Sequence, residues 1–189
     1  MASVGTPGLH DPGRLVGRDR AVGGEPVTNP GTHHPGTPLI ARVLLTDATN
    51  RVLIVHTIGS VPRWILPGGL VDAQESPRAA ARREVQEELG LDVEVGPLLT
   101  QEWTPPRTPG RRARLTFYFT GPQLSHEDVA RIALQETEVD AMAWAERDRA
   151  RELLPTTVAL HVGGPLHAYS GSTYYFEHPP RREHDHLID

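Results

Sequence analysis

Blocks of apolar residues alternate with short polar turns from residue 39 onwards. Leu39-Ile40-Ala41-Arg42-Val43-Leu44-Leu45-Thr46 is apolar and rich in β-branched residues, Asp47-Ala48-Thr49-Asn50 is a turn signal, and Arg51-Val52-Leu53-Ile54-Val55-His56 is apolar again. This pattern predicts a hairpin. Trp64-Ile65-Leu66 is a brief apolar run that stops at Pro67-Gly68-Gly69. Ser76 followed by Pro77 marks a helix start, and the helix runs through alanines and charged residues to Gly90, a natural C-cap.

Further strands are predicted over Val93 to Trp103, Arg114 to Thr120 and Glu138 to Ala145, with Pro105 to Gly110 as a loop. The aromatic density of Leu115-Thr116-Phe117-Tyr118-Phe119 suggests a strand covered on both faces. Two helices follow, over Arg147 to Leu154 and from Thr156 to about Ala168, with a break at Gly163-Gly164-Pro165. Thr173-Tyr174-Tyr175-Phe176 is a late apolar patch expected to dock on the core. Strands around one central helix, with more helices near the end, predict a mixed α/β domain. Its sheet must be partly antiparallel, because the first connection is too short for a crossover.

Composition sets the limits of this domain. The chain has 189 residues, 18 of them Gly and 18 Pro, and its hydrophobic fraction of 38% is low enough to imply unpacked segments. Residues 1–37 are rich in Gly and Pro without helical or strand periodicity, and are expected to form a flexible N-terminal arm. Residues 38–177 form the predicted domain and 178–189 a polar tail. A metal role for His33-His34 or His184-Asp185-His186 has nothing beyond composition to support it. The formal charge of -5 argues against a duplex nucleic acid partner, and the lack of cysteine excludes disulfides and thiolate metal sites. With no apolar run of membrane length and no signal-peptide core, no membrane association and a cytoplasmic location are expected.

The chemistry concentrates in the predicted helix, in Arg82-Arg83-Glu84-Val85-Gln86-Glu87-Glu88-Leu89-Gly90-Leu91. Glu84, Glu87 and Glu88 fall at i, i+3 and i+4 and share a face, with Val85 and Leu89 on a neighbouring one. A solvated face neutralised by Arg78, Arg82 and Arg83 would explain the charge. So would a site for a hard divalent cation, which makes clustered carboxylates favourable. The surrounding residues decide. Gly69, five residues, Glu75, seven residues, Arg83-Glu84-Val85, one residue, Glu87-Glu88, one residue, Gly90-Leu91 matches every position of G-x5-E-x7-R-E-U-x-E-E-x-G-U, with U aliphatic. This is the Nudix box, and over about residues 38 to 155 the chain resembles the Nudix hydrolases.

That resemblance implies an α/β/α sandwich with a mixed sheet and a loop-helix-loop catalytic motif. It implies cleavage of the diphosphate linkage of a nucleoside diphosphate derivative, with Mg²⁺ or Mn²⁺ as cofactor. Glu84, Glu87, Glu88 and the Gly68 carbonyl would bind metal. Glu84, Glu87 and Arg83 would be catalytic, with Glu84 the position most often given as base and Arg83 orienting the carboxylates. Gly69, Glu75 and Gly90 would shape the motif. A further glutamate outside the box is common in the family. Glu138, six residues before Trp144, fits best, with Glu136 as the alternative.

Substrate cues are weaker. Pro106, 15 residues beyond Leu91, resembles a mark of the ADP-ribose branch, although it lies in a Pro-rich loop. Arg63, Trp64, Trp103 and Arg114 are candidate substrate contacts, and Tyr118, Arg42 and Arg112 are of suitable type. An ADP-ribose or NDP-sugar type of substrate is slightly favoured over a (d)NTP, including oxidised ones, as in MutT-type enzymes. A non-catalytic nucleotide sensor is the rival from another class, disfavoured by the complete box. An isopentenyl-diphosphate isomerase-like enzyme lacks its cysteine here. The expected partner is a small nucleotide diphosphate. Family members are often homodimers, but no interface is legible.

Overall fold

The computed structural model describes residues 36–58, 61–106, 108, 110–162 and 174–177. In chain order the elements are β1 (Leu39–Asp47), β2 (Val52–Thr57), β3 (Arg63–Ile65), β4 (Gly68–Leu70), α1 (Pro77–Leu89), β5 (Leu98–Thr104), β6 (Arg114–Leu124), α2 (His126–Ala130), β7 (Val139–Ala145), α3 (Arg147–Leu153), α4 (Thr156–Val162) and β8 (Tyr174–Glu177). The sheet is mixed, in the order β3-β2-β1-β6-β5-β8, with β4 also paired to β1 and β7 to β2. The predicted α/β class is what the chain adopts.

The predicted hairpin is only partly realised. Its turn forms, but β1 and β2 pair at a single position, Thr46↔Val52. Beyond it the strands part. β1 takes β6 in parallel and β4 antiparallel, and β2 takes β3 and β7. Both strands are too apolar to be satisfied by one partner: Ala41, Val43, Leu45 and Val52 to Val55 are all fully buried. Each therefore becomes an interior strand of its own part of the sheet.

The strand expected from Val93 begins only at Leu98. Val93 and Val95 are buried and Asp92 and Glu94 exposed, so the alternation is real. It reflects an extended segment lying on the core without a ladder. The late apolar patch becomes β8, which pairs in parallel with β5. The expected arm up to residue 35, the 163–165 break and the polar tail lie outside the described residues.

Helix α1 has the predicted ends. Ser76 accepts a hydrogen bond from Ala79 N, Pro77 occupies the first turn, and Gly90 closes the helix at φ 70°. Its buried stripe is Ala80, Ala81, Glu84, Val85, Glu88 and Leu89. Two of the three glutamates on the helix, Glu84 and Glu88, thus lie on the stripe that packs inwards. Among the described residues no helix is long and apolar enough to cross a membrane.

Candidate active site

The two inward carboxylates converge on the backbone of β4. Glu88 Oε2 accepts the Gly68 N–H at 2.8 Å. The Glu84 carboxylate lies against Gly69, in space that a Cβ would fill. Gly68 is held as tightly: its φ is 129°, and a Cβ there would collide with the Ala41 carbonyl. Glycine at both positions is what lets the strand and the carboxylates approach.

Arg42, on β1 directly opposite Gly68, donates to the carbonyls of Leu66 (2.9 Å) and Gly68. A carbonyl has two lone pairs, so this bond leaves Gly68 O capable of a second interaction. Burial pulls the Arg42 guanidinium down from its usual range, opposed chiefly by Glu88.

Arg83 ties the motif together. It reaches Glu75 Oε1 at 2.7 Å, the Leu70 carbonyl at 3.0 Å, Glu84 Oε1 at 3.1 Å and Glu87 Oε2 at 2.8 Å. Its bonds to Glu75, above all, push its pKa up. Glu75 also accepts the Asp72 N–H, fixing the loop before the helix. Glu87 is exposed and turned to Arg83, rather than inwards with Glu84 and Glu88.

The loop after α2 carries both candidate glutamates from outside the box, Glu138 and Glu136. Ala133 N and Gln135 N donate to the last carbonyls of α1, Leu89 O and Glu88 O, and Glu138 N donates to Gln135 O. Glu138 is thereby set at the start of β7, where its charge helps to raise both Glu84 and Glu88. Glu136 is exposed in the same loop. For Glu84 and Glu88 the largest cause of the rise is burial, which takes Glu88 to about 7 against the pull of Gly68 N–H and Arg42.

Among the described residues, no three acidic or histidine side chains are grouped closely enough to hold an ion. The donors around Gly68–Gly69 nonetheless fit a hard divalent cation. They are carboxylate and carbonyl oxygens. Glu84 and Glu88 are 8% and 4% exposed, so two like charges are buried side by side, a cost that a cation relieves.

The expected substrate contacts divide by strand face. Arg63 and Arg114 line a cavity of about 40 Å³ with Ile40, Arg42, Ile65, Glu102, Thr116, Tyr118, Pro155 and Val158. Trp64 lies between Arg63 and Ile65 and so on the other face of β3, where it packs against His56 with ring centroids 5.2 Å apart. Trp103 is likewise on the opposite face of β5 from Glu102. Neither tryptophan is brought to the cavity. Arg112 donates to Gly36 O, and Pro106 is exposed in the loop after β5.

Sequence reasoning missed Glu102. It is 1% exposed and accepts hydrogen bonds from Tyr118 OH and Thr104 Oγ1, both at 3.0 Å. Burial, then Glu102 beside it, pushes the Tyr118 phenol up, keeping it a donor. The available signal was the polar series Thr100, Glu102, Thr104 at every second position of β5.

Comparison with known proteins bears on the whole arrangement. The chain is 40% identical over 75 residues to an RNA pyrophosphohydrolase of Saccharophagus degradans, covering 38% of this chain and 44% of that protein. It is 41% identical over 54 residues to diphosphoinositol polyphosphate phosphohydrolase 2 of Rattus norvegicus, covering 29% and 30%. The matches thus span less than half the length of these relatives. Among solved structures, the MutT protein from Methanosarcina mazei Go1 superposes with a TM-score of 0.59 at 19% identity, over 74% of this chain and 96% of that one. A UDP-X diphosphatase gives 0.59 at 18% identity, over 78% and 70%. These structural likenesses concern the fold. The NUDIX domain model matches residues 36–162, which include the whole box, β1 to β7 and both C-terminal helices, so the chain belongs to the Nudix family.

Proposed function

We propose that this protein is a Mg²⁺- or Mn²⁺-dependent pyrophosphohydrolase that cleaves the diphosphate linkage of a nucleoside diphosphate derivative. The observation that carries this reading is the convergence of buried Glu84 and Glu88 on the Gly68–Gly69 backbone, with the charge of Glu138 close by. Glu84, Glu88 and the Gly68 carbonyl would hold the cation, and Glu87 would join them by turning away from Arg83. The bound ion supplies neutralisation of the diphosphate oxygens and a water of lowered pKa.

The chain's own groups do the rest. Glu84 and Glu138 are the two carboxylates suited to take the proton of the attacking water, one on the helix and one on the facing loop. Arg83 holds Glu75, Glu84 and Glu87 in a fixed relation. The missing Cβ at Gly69 lets the Glu84 carboxylate lie directly against the β4 backbone. An ADP-ribose or NDP-sugar type of derivative remains the favoured substrate, on the Pro106 cue.

The test is hydrolysis of a panel of ADP-ribose, NDP-sugars, NTPs, oxidised dNTPs and capped or triphosphorylated RNA, with Mg²⁺ or Mn²⁺ and product identification. Turnover of at least one member, lost in Glu84→Gln with the fold retained, is expected. No product from any member would overturn the reading.

A further inference from the structure

Between Glu102 and Glu127 the chain carries Arg107, Arg111, Arg112 and Arg114 and no acidic residue, although its net charge is -5. A run of arginines is ordinarily a solvated surface matched by nearby carboxylates. Elsewhere in this fold that match is made: Arg51 pairs with Asp47, Arg82 with Asp92, Arg83 with Glu75, Arg131 with Asp128 and Arg149 with Glu152. Among the described residues, Arg111, Arg112 and Arg114 form no ion pair with a carboxylate.

The local fold gathers these three arginines on one wall. Thr104 pairs with Arg114, so the loop between them leaves the ends of β5 and β6. Thr108-Pro109-Gly110-Arg111 has a turn sequence, and the turn closes: Arg111 N donates to Thr108 O at 3.1 Å and Gly110 takes φ 81°. Arg112 donates to Gly36 O at 3.0 Å and Leu115 N to Pro38 O at 3.1 Å, which ties the loop to the start of β1. With Pro38, Ile40 and Pro105, the three arginines line a cleft of about 570 Å³ in which no described lining residue is acidic. That volume is in the range of small-molecule sites. Arg111 and Arg112 are exposed and Arg114 is half-buried, so the cleft is open to a ligand.

Like charges gathered on a closed turn repel one another, and an anion seated between them turns that cost into a gain. The guanidinium fork matches the oxygens of a phosphate. Prolines in the walls and the tie to β1 restrict the loop beforehand, which lowers the ordering cost of binding. The register sets the distance to the box. Gly68 is level with Arg42 and Leu70 with Ile40. Ile40 lines the cleft, so its inner end lies two residues along β1 from the level of Gly68, or roughly 7 Å. One ligand can reach both.

We propose that this cleft binds a further phosphate of the substrate, separate from the diphosphate that is cleaved, and that Arg111 and Arg114 are its contacts. The substrate class is then a nucleoside diphosphate derivative with a remote phosphate on its organic part, either a monoester or a diester link to another nucleotide. Arg112 keeps the loop in place. The inference rests on the hydrolase reading for the diphosphate end alone.

The test is calorimetric titration of the full chain with Mg²⁺, using ADP, its 2′- and 3′-phosphorylated forms and a dinucleotide that bears a 5′-diphosphate. In the wild type the added phosphate should tighten binding about 10-fold or more for at least one of these. Arg111→Ala should cut that gain by about 5-fold, and Arg111→Lys, which keeps the charge but not the fork, by less. Arg149→Ala makes the same change of charge on α3 and should leave the gain intact. A gain for the monoesters or for the dinucleotide supports the cleft and tells the two sources apart. The proposal is overturned by no gain for any ligand, by a gain that Arg111→Ala does not touch, or by equal losses for ADP and the phosphorylated forms. Failure of ADP to bind would instead count against the hydrolase reading. Inorganic phosphate titrated without cation then judges the cleft alone: it should shift the Arg111 amide resonance in the wild type and bind more weakly in Arg111→Ala, and no shift would sink the proposal.

Discussion

The Glu84 carboxylate fills the space beside Gly69: a Cβ on residue 69 would lie 2.5 Å from Glu84 Cδ and Oε1. The first and fourth fixed residues of the motif are thus a packed pair. Gly69→Ala must displace Glu84, since Gly69 is fixed by its pairing to Ala41 on β1. A loss of about 10- to 100-fold in kcat is expected, as for other disturbances of the groups that orient metal ligands. Circular dichroism should be unchanged. Full activity in Gly69→Ala would show that the position of Glu84 does not matter.

Arg83 makes its contacts through a planar fork that lysine lacks. Arg83→Lys should keep the charge but lose the simultaneous hold on Glu75, Glu84 and Glu87. Activity is expected to fall about 10- to 100-fold. Stability should change by less than about 1 kcal/mol, because part-exposed ion pairs contribute little. Steady-state kinetics and a urea melt on the same preparation separate the two effects. A stability loss with activity intact would assign Arg83 to the fold alone.

Cation binding has a readout independent of turnover. Mg²⁺ or Mn²⁺ at 100 times its Kd should stabilise the protein by about 2.7 kcal/mol, and a chelator should reverse the shift. Glu88→Gln should abolish most of this gain. The metal-free variant should be no less stable than the wild type, since glutamine keeps an acceptor for Gly68 N–H while removing a buried charge. A cation-dependent Tm shift of wild-type size in Glu88→Gln would remove that residue from the site.

What could be read from the sequence was what is set locally. The α1 boundaries follow from Ser76-Pro77 and Gly90, and the box from its spacing. The parting of β1 and β2 was not legible, because their partners β6 and β7 lie some distance along the chain and only tertiary burial selects them. Residue type suggested Trp64 and Trp103 as ligand contacts, but strand parity turns both away from the face that Arg63 and Glu102 line. Helix α2 went unread although Ser125 and Asp128 form a capping box. The alternation Thr100-Glu102-Thr104 was visible too. That it faces a cavity depends on the register with β6 and β1.

The turn between β1 and β2 gives a prediction about acid stability. Asp47 Oδ1 accepts Thr49 N, Thr49 Oγ1 and Arg51 N at 2.8–2.9 Å, and Oδ2 accepts Arg51 Nε at 2.8 Å. Burial pushes the carboxyl up, but the bonds from Arg51 and Thr49 outweigh it and hold it at about 2. An unfolded Asp titrates near 3.9, roughly, so the folded value is the lower one. The stabilisation is therefore complete above that value and is lost as pH falls towards about 2. Asp47→Asn should cost about 1–3 kcal/mol at pH 7, because it replaces an acceptor of several hydrogen bonds with a group that is half donor. The gap between wild type and variant in urea melts should narrow from about pH 4 to about pH 2, as first the unfolded chain and then the folded carboxyl take up the proton. A gap of constant size over that range would mean that shape, and not the ionised carboxylate, holds the turn where the two strands meet.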